Sequence, residues 1–489
     1  MATIASSEQA VLDRVPRELY IGGQWRAAAG AARLTVEDPS TQEVLAEVAD
    51  ASPQDALEAL GAAADAQGEW ARTAPRERGE ILRRAYELLI ADVERLALLM
   101  TLEMGKALAE SRAEIRYAAE FLRWFSEEAV RIHGRYMANT TGEGRILTMR
   151  QPVGPCVFVT PWNFPTAMGT RKIAPAVAAG CTMVVKPAQQ TPLSMLALAQ
   201  VFEQAGLPAG VLNVITARHA DAVIEPLLKD ARTRKLSFTG STAVGRRLIE
   251  QSASQVLRVS MELGGNAPFL VFEDADLDAA VEGALIAKLR NVGEACTAAN
   301  RFHVHERAAE EFASRLAGRM RALKVGRGTD PEVDLGPLID ERQRTTVEEV
   351  VHDACERGAR LLLGGERLPG RGYFYAPTVL TGVSPQARAL QEEIFGPVAP
   401  IATFSSEEEA VRAANATEYG LVAYVYTNDL KRAVRVCEAI ETGMVGVNQG
   451  IVSNPAAPFG GVKQSGFGRE GGFEGIEEYL ETKYVALSL

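Results

Sequence analysis

Cysteine and histidine are scarce in this chain of 489 residues, with 5 of each. The cysteines stand at 156, 181, 296, 355 and 437; their number is odd and no two form a CxxC pair. That excludes a disulfide framework and a thiolate zinc site, and fits free thiols in a reducing cytoplasm. His303 and His305 alternate in a strand-like run with no third ligand beside them, so packing or surface roles are expected and no metal. An excess of basic charge is also missing. Lys plus Arg number 52 against 63 for Asp plus Glu, a net charge of -11, which excludes a nucleic-acid partner needing a basic face. No long hydrophobic run is present. The longest, Ile173 to Val185, contains Pro175 and Gly180 and is too short to cross a bilayer. The N-terminus lacks a charged segment followed by an apolar one, so no signal peptide and no membrane partner are expected.

What is there reads as a multi-part α/β protein. At roughly 150 residues per domain, the length allows two or three domains. Residues 1 to 18 look like a loose polar arm. Tyr20-Ile-Gly-Gly-Gln-Trp25 has the Gly-Gly turn of a hairpin. From Ser52 to about Val130 apolar residues recur at helical spacing, with Ser52-Pro53 as a helix start. Arg145 to Arg150 alternates like an exposed strand in a hairpin arm. Short Val-rich strands then appear at 156–160, 182–185, 211–215, 235–238 and 269–272. Helical segments such as 194–204 and 244–254 separate most of them, which predicts βαβ units and a parallel sheet. A second α/β pattern runs from Ala308 to Val447. The chain ends in an apolar strand-like tail, expected to seek a partner such as the Arg145 arm of another subunit.

Four stretches carry candidate chemistry. Phe238-Thr-Gly240-Ser241-Thr-Ala-Val-Gly245 ends a strand and opens a helix, where backbone amides can approach a phosphate. Arg246-Arg247 stand where a P-loop needs Lys-Ser/Thr, which excludes an NTPase; a plain strand-to-helix turn is the alternative. Lys186, at the end of a strand, sits where open sheets bind ligands, or is a surface lysine. Thr160-Pro161-Trp162-Asn163-Phe-Pro165 offers the Asn163 amide to a developing oxyanion, or a structural turn. Cys296, among Gly293, Ala295, Thr297 and Ala298, is a candidate nucleophile, with Glu262 of Glu262-Leu-Gly-Gly265 as its candidate base. In isolation, a packing cysteine and a surface glutamate are the plainer readings.

Together these motifs are ordered along nearly the whole chain, from Tyr20 to Tyr484. Joined by Glu393-Ile-Phe-Gly-Pro397 and Pro458-Phe-Gly-Gly461, they resemble the aldehyde dehydrogenase superfamily. The resemblance implies a Rossmann-like cofactor domain (1–130 and 152–262), an α/β catalytic domain (263–455), and a small β oligomerisation arm with the tail (131–151 and 456–489). It implies that Cys296 attacks an aldehyde, that Asn163 holds the oxyanion, and that Glu262 activates the water hydrolysing the thioester. Lys186 would bind the adenosine ribose, Ser241 the pyrophosphate and Glu393 the nicotinamide ribose, with Phe395 beside the nicotinamide. Thr160, Pro161, Trp162, Gly240 and Leu263 complete the implied cofactor contacts. A homodimer or homotetramer is implied as well.

Within that superfamily the chain is most similar to succinate-semialdehyde dehydrogenases. Arg171, Arg290 and Ser453 fall where those enzymes hold the far carboxylate of the substrate. Two guanidinium forks and a hydroxyl suit that task. The alternative is that either arginine pairs with a glutamate such as Glu294. Glutarate semialdehyde would use the same clamp, since one methylene is worth only about 1–3 kcal/mol. Some members carry a second cysteine at the place of Ala298; its absence predicts no disulfide switch at Cys296. Gln189 stands where NAD-preferring relatives often carry a glutamate. With that charge absent, NADP as well as NAD is expected to bind, with NADP accepted and favoured.

Overall fold

The structure is a computed structural model and describes residues 6–488. The strands before the arm are β1 (Leu19–Ile21), β2 (Gln24–Arg26), β3 (Arg33–Asp38) and β4 (Glu43–Ala49). The arm holds β5 (Arg135–Ala138) and β6 (Arg145–Pro152). Next come β7 (Cys156–Val159), β8 (Met183–Lys186), β9 (Leu212–Val214), β10 (Lys235–Thr239) and β11 (Arg258–Glu262). The second half holds β12 (Ala267–Val271), β13 (Ala299–His305), β14 (Arg360–Leu363), β15 (Thr378–Thr381), β16 (Val398–Phe404), β17 (Val422–Tyr426) and β18 (Met444–Val447). The chain closes with β19 (Gly466–Phe467) and β20 (Leu480–Leu487).

Two large sheets carry the molecule. The first runs β19-β11-β10-β7-β8-β9-β1-β2, and β7 to β11 pair in parallel. Its strands are buried on both faces, as continuous Val-rich runs require. Register places the strand ends in line: Val159 lies opposite both Lys186 and Phe238, and Thr239 opposite Glu262. The loops that follow these residues therefore leave the sheet side by side, at the carboxyl edge where open α/β sheets bind ligands. The second sheet runs β14-β15-β16-β13-β12-β17-β18 and is parallel apart from the β14–β15 pair.

Among the described residues ten α-helices precede β13: α1 (Ser6–Leu12), α2 (Pro53–Trp70), α3 (Pro75–Ala91), α4 (Val93–Met104), α5 (Leu108–Glu128), α6 (Pro165–Ala179), α7 (Pro192–Gln204), α8 (Ala220–Lys229), α9 (Thr242–Ala253) and α10 (Leu277–Leu289). Helix α2 begins as the sequence suggests, with a capping box between Ser52 and Asp55 and Pro53 in the first turn. After β13 come α11 (Glu306–Arg321), α12 (Glu341–Glu356), α13 (Arg388–Gln391), α14 (Glu407–Asn415) and α15 (Leu430–Ala439).

Two expectations are corrected. The first 18 residues are not a loose arm where they are described: α1 packs on α4 and buries Val11 and Leu12, with Val15 just beyond it; residues 1–5 lie outside the described residues. The apolar tail finds its partner within its own chain. β20 pairs with β6 from Leu480↔Pro152 to Leu487↔Arg145, and β5 completes a three-stranded sheet. Just before the tail, β19 returns to the first sheet and places Gly466 opposite Glu262.

Candidate active site

The carboxyl edge of the first sheet faces the second across a cavity of about 440 Å³. Its wall includes Pro161, Trp162 and Asn163 after β7, Thr239, Gly240 and Ser241 after β10, and Glu262, Leu263 and Gly264 after β11. The second half contributes Cys296, Glu393 and Phe395, and α6 contributes Met168 and Arg171. The three candidate catalytic residues, spread along the sequence from position 163 to 296, thus share one wall.

Cys296 follows a strained turn. Asn291 and Val292 have φ of 53° and 57°, and Gly293 follows at 81°. Left-handed backbone at a non-glycine residue costs roughly 1–3 kcal/mol and persists only where the surroundings hold it. The thiol is pushed up to about 12, chiefly by burial; the guanidinium groups of Arg171 and Arg290 oppose this, and the carboxyls of Glu393 and Glu262 add to it. Burial, with the neighbouring Glu470 carboxyl, also raises Glu262 well above the usual carboxylate range. Neither of its buried oxygens has a hydrogen-bond partner, as a base awaiting a water requires. A Cβ on Gly460 would come within 2.9 Å of Glu262 Oε1, so glycine there leaves the carboxyl its space.

Asn163 Nδ2 donates to the Glu294 carbonyl at 3.0 Å, which leaves its second N–H for the cavity. Arg171 is buried. It stacks on Phe459 at 3.8 Å and pairs with Glu470, its Nε 2.8 Å from Oε2. Lys172 pairs with the other oxygen of Glu470 and bonds Ser237 Oγ at 3.1 Å. The expected competitor for the arginines, Glu294, instead accepts from the Ile339 amide at 3.0 Å. Arg171 Nη2 makes no hydrogen bond. Arg290 stacks on Phe164 at 4.7 Å and reaches Ser453 Oγ at 3.4 Å. Arg290 and Ser453 are therefore together, but neither belongs to the wall of the main cavity.

The cofactor candidates divide in the same way. Glu393 Oε1 accepts from Gly265 N at 3.1 Å, and a Cβ on Gly264 would lie 2.7 Å from Oε2, so the carboxyl rests on a glycine floor. Burial raises this carboxyl to about 7, against the Gly265 hydrogen bond and the Lys288 ammonium. Phe395 meets Trp162 edge to face at 5.4 Å. Ser241 caps α9 without using its hydroxyl on the helix, leaving the first turn open to a phosphate. Thr160 is buried behind Pro161. Lys186 is buried, and burial lowers its ammonium to about 8. Gln189 lies outside the main cavity, sharing a smaller one of about 210 Å³ with Gln190, Glu37, Arg218 and Asp340.

The sequence reading missed Glu470, Phe459 and the α12 residues. Gln343 on α12 donates to the Phe395 carbonyl at 2.8 Å and holds that loop. Nothing in its local sequence marks Gln343. Phe459 lay within a motif already singled out, Pro458-Phe-Gly-Gly461. Among the described residues no group of His, Cys, Asp and Glu forms a metal site.

A parallel-sheet mouth with a helix N-terminus, a carboxyl on a glycine floor and a half-buried thiol sharing a wall with a partnerless carboxyl fits a nucleotide-dependent oxidoreductase. The chain belongs to the aldehyde dehydrogenase family, whose pattern matches residues 25–485, and members of that family use NAD(P)+. It is 60% identical over 445 residues to the succinate-semialdehyde dehydrogenase of Paenarthrobacter nicotinovorans, covering 91% of this chain and 99% of that protein. It is 48% identical to the NADP(+) succinate-semialdehyde dehydrogenase of Escherichia coli K12, over 97% of this chain and 98% of that one. The crystal structure of succinate-semialdehyde dehydrogenase from Burkholderia pseudomallei superposes with a TM-score of 0.96 at 49% identity, covering 100% of both chains.

Proposed function

We propose that this protein oxidises succinate semialdehyde to succinate with NAD(P)+. The observation that carries the reading is the shared wall of Cys296, Glu262, Asn163 and Arg171 in one cavity, in a chain 60% identical to an enzyme named for that substrate. Cys296 Sγ gives its proton to water and adds to the aldehyde carbon. The oxyanion accepts from Asn163 Nδ2 and the Cys296 backbone N–H. NAD(P)+, when bound, supplies the hydride acceptor. Loss of hydride from the former aldehyde carbon leaves a thioester on Cys296. Glu262 takes a proton from water, the hydroxide attacks the thioester carbonyl, and the acid departs as the thiol is restored.

Lys186, Ser241, Glu393 and Phe395 would hold the cofactor, with Thr160, Pro161, Trp162, Gly240 and Leu263 shaping its bed. The glycine floor under Glu393 and the unused Ser241 hydroxyl fit a nucleotide. Arg171, Arg290 and Ser453 form the carboxylate clamp; Arg171 Nη2 is a donor without a hydrogen-bond partner. Gln189 itself brings no charge to repel a 2′-phosphate, so NADP is accepted and preferred; Arg218 shares its pocket with Glu37 and Asp340. We also infer a homo-oligomer working in the cytoplasm; among the described residues no helix is long and apolar enough to cross a membrane.

The test is the initial rate of reduced-cofactor formation with succinate semialdehyde and with butanal, each with NAD and NADP. The two aldehydes share a chain length and differ by the terminal carboxylate. Losing a buried charge partner costs about 2–5 kcal/mol, so kcat/KM should favour the semialdehyde by roughly thirtyfold or more. Equal rates would remove the clamp, and a strong NAD preference would remove the reading of Gln189.

A further inference from the structure

Three charged residues at the start of α5 have no place in the chemistry above, yet they meet both loops that frame it. Lys106 and Glu114 are 1% and 2% exposed and form an ion pair of 2.6 Å. Lys106 Nζ also donates to the Asn163 carbonyl at 2.7 Å, and it lies 4.2 Å from the centre of the Phe164 ring. The second oxygen of Glu114 accepts from the amides of Thr166 and Ala167, at 3.0 and 3.1 Å. Those amides open α6, directly after the Asn163 loop. Glu110 accepts from the Asn291 amide at 2.7 Å, in the turn that leads to Cys296. The two loops are then stitched to each other. Asn291 Nδ2 donates to the carbonyls of Asn163 at 3.0 Å and Glu294 at 2.9 Å, and Asn163 Nδ2 donates to the same Glu294 carbonyl.

Glu110 and Glu114 are four residues apart on one helix, about 6 Å along its axis. A helix is a stiff spacer, so the two anchor points keep a fixed separation. One anchor holds the Asn163 loop of the first half, and the other holds the cysteine loop of the second. The cysteine loop needs such a hold, because Asn291 and Val292 are both left-handed and would relax without it. A buried ion pair is a weak way to stabilise a fold but a good way to specify a geometry.

We propose that Lys106, Glu110 and Glu114 are positioning residues for catalysis, fixing the Asn163 amide and the Cys296 backbone N–H into a single oxyanion site. This rests on the reading of those two donors given above. A misplacement on the ångström scale costs about a hundredfold in rate. Glu110→Ala should therefore lower kcat by roughly ten- to a hundredfold. Glu110→Gln keeps a carbonyl acceptor for the Asn291 amide and should stay within about threefold of the parent. KM for aldehyde, and cofactor Kd from quenching of tryptophan fluorescence, should move less than about threefold in both. The double variant Lys106→Met/Glu114→Gln removes both members of the ion pair together and should show the same loss confined to kcat.

The deciding measurement is a double-mutant cycle. If Glu110 acts through the oxyanion site, Glu110→Ala in an Asn163→Ala background should cost less than about threefold more. A full loss in that background overturns the proposal, as does Glu110→Gln falling as low as Glu110→Ala, or a loss that appears in cofactor Kd. Asn163→Ala with unchanged kcat would instead overturn the oxyanion reading beneath it, and the proposal with it.

Discussion

A thiol at about 12, beside a carboxyl that burial holds well above its usual range, keeps its proton in the unliganded site at neutral pH. At pH 7 a thiol with that value is ionised to only about one part in 10⁵. Burial dominates both shifts, so the opposing arginines do not rescue the thiolate. The sign is that of a raised acid: the reactive form grows as pH rises, about tenfold per unit, until pH reaches the raised value. The rate of Cys296 alkylation by iodoacetamide, read by peptide mapping, should therefore climb steadily from about pH 6 to pH 9 with no plateau. A plateau below about pH 8 would show a thiol already activated before substrate binds and would refute the burial argument. At this scale the sequence was legible where a residue ends a strand. Lys186 and Glu262 end strands, Asn163 and Ser241 follow strand ends, all with small or proline neighbours, and register brings those ends together. It was silent on Glu470, Lys106, Glu110 and Glu114. They reach the site from helices and from the C-terminal segment, and helical periodicity marks only their apolar neighbours.

At the scale of elements the same limit explains α1. Seven residues give two helical turns, too few for periodicity to stand out from a polar terminus. What orders the segment is tertiary. Val11, Leu12 and Val15 are buried, and Arg327 clasps Glu8 through two bonds of 2.9 and 3.0 Å. Leu12 is 1% exposed, and removing such a side chain to alanine costs about 2–5 kcal/mol. Leu12→Ala should lower the urea midpoint followed by far-UV circular dichroism and speed proteolytic cleavage between residues 12 and 19. A midpoint and cleavage rate equal to the parent would mean that α1 contributes nothing to the folded state. The arm shows the opposite case. Strand alternation marked β6 in the sequence, but the eight-residue pairing of β20 with β6 spans more than three hundred positions, and no local pattern reports such a distance.

At the scale of the whole molecule, apolar surface remains that the chain does not cover. β5 is an edge strand, and its Tyr136 and Met137 are 63% and 48% exposed. Beside it, Tyr484 of β20 is 62% exposed. On the second sheet, the edge strand β18 and helix α15 expose Val447, Leu430 and Val434. Open edges with unpaired amides and large apolar side chains are aggregation hazards unless another chain covers them. With β20 paired to β6, the open edges of β5 and β20 and the β18 face are what a second copy would bury. The double variant Tyr136→Glu/Met137→Glu, and separately Val434→Glu, should therefore lower the mass found by light scattering during size-exclusion chromatography. The parent should run as a dimer or tetramer. A monomeric parent at micromolar concentration would end the oligomer reading. One chain carries Cys296, Glu262, Asn163 and Arg171 on the cavity wall, so a dissociated protomer should keep kcat/KM per active site within about threefold. A larger loss on dissociation, with cofactor binding intact, would mean that the neighbouring copy holds the catalytic wall in place.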